Sequence, residues 1–265
     1  MRVAWATDIH LEFLTPPALT TFCITLATSS ADAFLISGDI SQARGLHKHL
    51  RILERTLERP IYFVLGNHDF YHGRIGEVRD QVREISGISS YLRWLPASGA
   101  IELSARTGLV GHDGWADGRL GDYANSPVLL NDYRLIDDFV GLDRAARLAL
   151  LNRLGDEAGE YLRRELPAAL ERWKKVIVLT HVPPFAEAAW YMGRQSDEDW
   201  LPHFSCKAAG DALLAAAVAH PDREIRVLCG HTHSAGEVEV LPNLRVTTGG
   251  ARYGAPSIQS EWRED

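Results

Sequence analysis

Three cysteines in 265 residues are too few, and too scattered, to build anything from. Cys23, Cys206 and Cys229 are odd in number, far apart and without a Cys-x-x-Cys pair. They read as reduced, buried thiols, which excludes a disulfide framework and a thiolate-bound structural metal. No run of eighteen apolar residues occurs, so no transmembrane helix is expected. The apolar residues begin at Val3 as a strand, which leaves no room for the charged and apolar regions of a signal peptide. A cytoplasmic location is the expectation. Positive charge is in deficit as well: 28 Lys and Arg against 35 Asp and Glu give a net charge of −7. Such a field does not favour nucleic acid as a partner. Internal repeats, low-complexity segments and linkers are also missing.

What is present is ordinary in bulk, with 46% hydrophobic and 24% charged residues, as in globular proteins. The pattern is not ordinary. Five short apolar runs each end in metal-ligand residue types. Arg2-Ala6 leads into Asp8-Ile9-His10, and Ala33-Ile36 into Ser37-Gly38-Asp39. Ile61-Leu65 leads into Gly66-Asn67-His68-Asp69. Val176-Leu179 leads into Thr180-His181, and Ile225-Cys229 into Gly230-His231-Thr232-His233. Buried strands that deliver polar residues to their carboxyl ends are how open α/β sheets form ligand sites. These strand ends span residues 8 to 233, so a shared site requires one domain over residues 1–265.

Taken in order, the first third reads as βαβαβ. A helix is expected over Ala18–Ala27, another where Leu46, Leu50, Leu53 and Leu57 recur before Pro60, and a weaker one over 76–84. Tyr91–Leu95, Ala100–Leu103 and Thr107–Val110 read as an antiparallel meander. The polar stretch 112–138 and the aperiodic stretch 185–206 read as loop insertions placed to cover a site. Leu148, Leu151, Leu154, Ala158 and Leu162 mark a long helix, with a kink or restart expected at Pro167. Asp211–Ala219 reads as an alanine-rich helix, Val238–Val246 as a hairpin, and the tail from Ser257 as frayed.

Asp8, His10, Asp39, Asn67, His181, His231 and His233 are seven oxygen and nitrogen ligands, too many for one four-coordinate ion. They suit two cations with Asp39 between them, because neighbouring cations repel unless an anion separates them. His231 and His233, two apart at a strand end, point to opposite sides. Two such cations would lower the pKa of a bridging water, giving hydroxide for hydrolytic chemistry.

The ordered set Asp8-x-His10, Gly38-Asp39, Gly66-Asn67-His68-Asp69, His181 and Gly230-His231-Thr232-His233 resembles the calcineurin-like metallophosphoesterases over nearly the whole chain. The resemblance implies a mixed α/β fold, a four-layer αββα sandwich of two mixed β-sheets flanked by helices. It implies one metal on Asp8, His10, Asp39 and His233, and a second on Asp39, Asn67, His181 and His231. His68 would protonate the leaving group or stabilise the phosphoryl oxygens, with Asp69 orienting it. Mn²⁺ is the first expectation, and iron, zinc, cobalt or nickel also suit these donors. After Gly38-Asp39 the chain reads Ile40-Ser41-Gln42, where the protein-phosphatase branch continues with an Asp-Arg-Gly block. Phosphoproteins and bis-nucleoside tetraphosphates are therefore disfavoured as substrates. A small phosphomonoester, phosphodiester or nucleotide remains, and no protein partner can be inferred. The alternatives are a non-catalytic metal-binding scaffold and a nuclease, the latter disfavoured by net charge.

Substrate contacts are weakly marked. His112 follows a strand and a glycine, and reads as a turn residue or a wall of the site. Trp115, Trp190, Tyr191 and Trp200 suit either stacking or loop anchoring. Arg194 and Lys207 suit either a second charged group or solvation. His47, His49, His72, His203 and His220 read as surface residues.

Overall fold

The computed structural model describes residues 1–265. The alternation of the strand residues accounts for its layering. In β1 (Arg2–Ala6), Val3 and Trp5 turn to one side while Ala4 and Ala6 turn to the other. Both sides are buried, as expected of strands covered on two faces. Between the flanking helices α1 (Pro16–Thr28), α2 (Ala43–Leu57) and α3 (Ile75–Ile88) run β2 (Ala33–Ser37), β3 (Ile61–Val64) and β4 (Leu92–Trp94). Strands β1 to β4 lie parallel and in sequence order, the arrangement that right-handed crossovers produce.

The second half builds another sheet. Its strands are β5 (Ile101–Glu102), β6 (Thr107–Gly111), β7 (Lys175–Leu179), β10 (Glu224–Cys229), β11 (Gly236–Leu241) and β12 (Leu244–Thr248). Their order is β11-β12-β10-β7-β6-β5, parallel at the centre and antiparallel at both edges. Its outer face is covered by α5 (Arg144–Arg172) and α7 (Lys207–Ala219). The two sheets meet through Val3, Trp5, Leu35, Val64, Ile177, Leu179 and Leu228 among others. The result is an αββα sandwich of two mixed sheets. Smaller elements fill the connections: α4 (Asp132–Leu135), the two-stranded β8 (Trp190–Tyr191) and β9 (Arg194–Gln195), and α6 (Leu201–Phe204). No helix is long and apolar enough to cross a membrane.

Several sequence expectations are corrected. Residues 91–110 form no meander, because β4 joins the first sheet beside β3 while β5 and β6 belong to the second. Helix α3 is longer than the charge pattern suggested and supplies the crossover that a parallel β4 needs. Helix α5 runs through Pro167 without a break. Pro167 and Arg163, whose carbonyl the proline leaves unpaired, are both exposed, so the lost bond falls on the solvent side of the helix. Leu162, Leu166 and Leu170 meanwhile hold the buried side. The tail does not fray: β13 (Ile258–Arg263) pairs antiparallel with β1 and closes the first sheet, Trp262 standing opposite Val3. An edge strand half open to solvent carries polar residues, and its sequence therefore looks like a loop.

Trp5 tests the joint between the sheets. It is 2% exposed and donates its indole N–H to Ser37 Oγ at 2.9 Å. Trp5→Ala is expected to cost about 3–5 kcal/mol in urea unfolding. A loss below about 1 kcal/mol would place Trp5 outside a tightly packed interface.

Candidate metal centre

The carboxyl ends of β1, β2, β3, β7 and β10 open on the same edge of the sandwich, and the backbone there is contorted. Eight non-glycine residues have positive φ, and five of them are Asp8 (48°), His10 (40°), Asp39 (51°), His231 (73°) and His233 (58°). Left-handed backbone in non-glycine residues costs about 1 kcal/mol each and gathers where side chains must be aimed. Close approach also explains two glycines. A Cβ on Gly230 would collide with the Asp8 carboxylate and Thr7, and one on Gly66 with the Asp39 carboxylate.

Two groups of donors form. In the first, the ligating atoms of Asp8, His10, Asp39 and His233 all lie within 4.8 Å of one another. His10 Nε2 and His233 Nε2 face each other at 3.1 Å, and Asp39 Oδ2 is 3.6 Å from His10 Nε2. In the second group, Asn67 Oδ1 is 3.0 Å from His181 Nε2 and 2.9 Å from His231 Nδ1. Asp39 Oδ1 is 3.4 Å from the same His181 Nε2. One oxygen of Asp39 thus faces each group.

The protons in the second group can be placed from its outer partners. His181 Nδ1–H donates to the Ser37 carbonyl at 2.9 Å, which leaves a lone pair on Nε2. His231 Nε2–H donates to the His203 carbonyl at 2.9 Å, which leaves a lone pair on Nδ1. Burial holds the His181 pKa down to about 4 and that of His231 to about 3, so both are neutral at pH 7. Asn67 Nδ2 donates to Asp132 Oδ1 at 2.8 Å, and the Tyr71 hydroxyl donates to the same oxygen at 2.8 Å. Flipping the Asn67 amide would set its oxygen against that carboxylate. Three acceptors, His181 Nε2, His231 Nδ1 and Asn67 Oδ1, therefore face one another beside Asp39 with no proton between them. Such an arrangement is repulsive unless a cation sits among the lone pairs, and these residues fit one. Burial, then Asp8 and Asp69, push the pKa of Asp39 well above the carboxylate range, which again describes a site wanting positive charge.

His68 lies beside both groups. Its amide N–H donates to Asp39 Oδ1 at 2.8 Å, and its ring stacks on Tyr71 at 4.2 Å. Asp69 does not touch the His68 ring. Its Oδ1 accepts the N–H groups of Ile40 (3.0 Å) and Ser41 (2.8 Å), and its Oδ2 accepts that of Gly66 (2.8 Å). Asp69 thus ties the β2 and β3 loops together. The carboxylate beside His68 is Glu12, which sequence reading missed: Oε1 is 3.6 Å from His68 Nδ1 and 3.5 Å from His10 Nδ1. These two imidazole nitrogens and both Glu12 oxygens are buried without a hydrogen-bond partner, so the contact between them is electrostatic. Burial opposes charge on Glu12, yet His10 and His68 bring its carboxyl down to about 2.

A cavity of about 270 Å³ opens on Asp39, Asn67, His68, His231 and His233. The stretch 112–138 contributes Leu130, Asn131 and Asp132 to its wall, and the stretch 185–206 contributes Tyr191 and Phe204. The other suggested substrate contacts lie elsewhere. Trp115 is core, packed between Phe70 and Phe139 at 5.5 and 5.8 Å. His112 is buried against Tyr161 and accepts the Gly114 N–H at Nδ1, neither on the surface nor in the cavity. Arg194 is exposed on β9 and Lys207 pairs with Asp211. Two histidines read as surface residues are buried: His49 bonds Ser41 Oγ, and His203 bonds the Tyr133 hydroxyl. Isolated histidines carry no periodic signal that would have revealed this.

The fold and donor set define a metal-binding α/β sandwich. The chain belongs to the calcineurin-like phosphoesterase family, whose model matches residues 1–235. Among solved structures it is similar to a phosphopantetheinyl hydrolase from Mycobacterium tuberculosis, at 15% identity and TM-score 0.62 over 95% of this chain and 89% of that one. It is also similar to a dimetal phosphatase from Danio rerio, at 13% identity and TM-score 0.59 over 97% and 89%. At these identities the likeness is one of fold. No curated protein sequence matches this chain.

Two measurements check the centre. Asp132→Ala should free the Asn67 amide and weaken the tighter or weaker of two Mn²⁺ binding steps by about 10–100-fold, read by calorimetry on protein with native circular dichroism. Unchanged affinity for both ions would remove Asp132 from the centre. The second concerns pH. Burial holds His112 and His203 at about 4, below the unfolded value. On acidification the unfolded chain takes up protons first, so stability falls from about pH 6.5 downward. Between pH 7 and 5, each imidazole should cost about 2 kcal/mol, measured in chelator by urea unfolding. His203→Gln, if it folds, should flatten that slope, and an unaltered slope would show that His203 is protonated in the folded state.

Proposed function

We propose that this chain hydrolyses small phosphoesters with two divalent cations. Asp8, His10, Asp39 and His233 would hold one, and Asp39, Asn67, His181 and His231 the other. The observation that carries the reading is that His181 Nε2 and His231 Nδ1 both face Asn67 Oδ1 with no donor among the three, next to Asp39 and the group around Asp8. Bound there, divalent cations supply Lewis-acid activation of water and neutralise charge on phosphoryl oxygens. Oxygen and imidazole donors suit Mn²⁺, and iron, zinc, cobalt and nickel also. The three buried, unpaired thiols suit a reducing cytoplasm.

The chain's own residues do the remaining work. Asp39 spaces the two groups. Asp132 keeps the Asn67 oxygen turned inward, and Asp69 holds the loops that carry Asp39 and Asn67 at one separation. His68 faces the cavity with Nδ1 against Glu12, which leaves Nε2 directed away from that carboxylate. From there its proton passes to the leaving-group oxygen as the P–O bond to that oxygen breaks. Glu12 orients the ring and supports its positive charge before the transfer. This is the part that the sequence reading had given to Asp69.

Chelation should abolish turnover and Mn²⁺ should restore it. In the Mn²⁺-loaded protein, His68→Ala should lower kcat by about 100-fold or more with both ions retained. Glu12→Gln should lower kcat about tenfold or more on alkyl esters, which need their leaving group protonated, and much less on p-nitrophenyl esters, which do not. Equal losses on both leaving groups would assign Glu12 a purely structural part. Full activity of His68→Ala would remove its acid role.

A further inference from the structure

We infer that the cavity beside the metal centre takes a phosphoester whose leaving group is an uncharged aromatic ring, and rejects esters bearing a second anionic group at that place. The inference rests on the hydrolase reading and names its substrate class. Its basis is the contrast between the floor of the cavity and its walls. The floor consists of His68 and the donor residues Asp39, Asn67, His231 and His233. The walls are Tyr71, Tyr191, Phe204, Tyr253 and Leu130.

Aromatic faces stand on both flanks of the centre. Tyr253 lies over the first donor group, its ring 4.6 Å from His10 and 4.9 Å from His233. Phe204 meets His231 of the second group edge-on at 5.3 Å. Phe204 is itself buttressed, with Trp200 stacked on it at 5.0 Å and Tyr191 against it at 5.2 Å. Tyr191 and Trp200 also contact each other at 4.5 Å, so the three rings form one block. Rings packed on one another in a cavity wall favour a flat apolar group, which Tyr191 and Phe204 can cover without ordering flexible side chains.

Charge decides against other occupants. None of the thirteen residues lining the cavity is Lys or Arg, and its remaining polar wall is Asn131, Thr232 and the Asp132 carboxylate. A second phosphate or carboxylate there would lose its water, face Asp132 and find no cation beyond the metal pair. Size agrees. About 270 Å³ lies at the small end for ligand pockets, enough for a phosphoryl group with one ring system and too little for a polymer.

Phosphonates test this without turnover. With Mn²⁺-loaded protein, calorimetry should show phenylphosphonate binding at least tenfold more tightly than methylphosphonate. A 4-carboxyl group on the ring should cancel most of that gain. In Tyr191→Ala the phenyl-to-methyl ratio should fall at least threefold, and Tyr191→Phe should keep it. A ratio within twofold of one in the native protein, or tighter binding of 4-carboxyphenylphosphonate than of phenylphosphonate, overturns the aromatic slot. If methylphosphonate binds and phenyl adds nothing, the slot alone fails. If neither binds, the hydrolase reading fails with it.

Discussion

Lone pairs pointed at one another, deep in a protein and without a proton between them, are what the rest of this structure is built to tolerate. His181 and His231 each spend their single N–H on a backbone carbonyl, Ser37 and His203 respectively. Asn67 spends its amide protons on Asp132 and the Tyr71 hydroxyl oxygen. What remains turns inward toward Asp39 as bare acceptors. Both sheets take part, since Ser37 ends a strand of the first and His181 follows a strand of the second. The same is true of Asp8, whose carboxylate accepts the His231 N–H at 3.0 Å. The seam between the sheets is therefore apolar along most of its length and ionic at one end.

That end is unstable on its own terms. Five of the donor residues are in left-handed backbone, and two buried carboxylates, Asp8 and Asp39, share a space with four imidazoles. The compensation comes from the sandwich behind it, where Trp5, Leu35, Val64 and Leu179 are almost wholly buried between the sheets. Asp69 adds a local brace, since three backbone N–H groups from two loops converge on its carboxylate. Strain at the loops is affordable because the strands that deliver them cannot shift independently.

Much of the centre could be read along the chain because each donor lies within a few residues of the end of an apolar strand. Asp8, His10, Asp39, Asn67, His181, His231 and His233 all belong to that pattern, and the structure brings all seven together. Glu12 and Asp132 were illegible for the opposite reason. Glu12 sits in a short turn of helix two residues past His10, where an acidic residue looks solvated. Asp132 lies in a long polar stretch with no periodicity. Tyr253 and strand β13 come from a tail whose polar composition resembles a loop. His112 and Trp115 show the converse, residue types suited to a binding site that packing holds away from the cavity.

Order and alternation in the sequence alone determined which residues stand at strand ends and, through them, a cluster of nitrogen and oxygen donors, while the sandwich of two mixed sheets was what the family resemblance implied. Only the tertiary structure decided which atom of each donor faces inward, that Glu12 rather than Asp69 stands behind His68, and that the cavity has aromatic walls without a cation. The physical reason is range. Strand burial and its two-residue period are local properties of the chain. The direction of an imidazole or an amide instead depends on hydrogen-bond partners tens to hundreds of residues away, which exist only once the two sheets have packed.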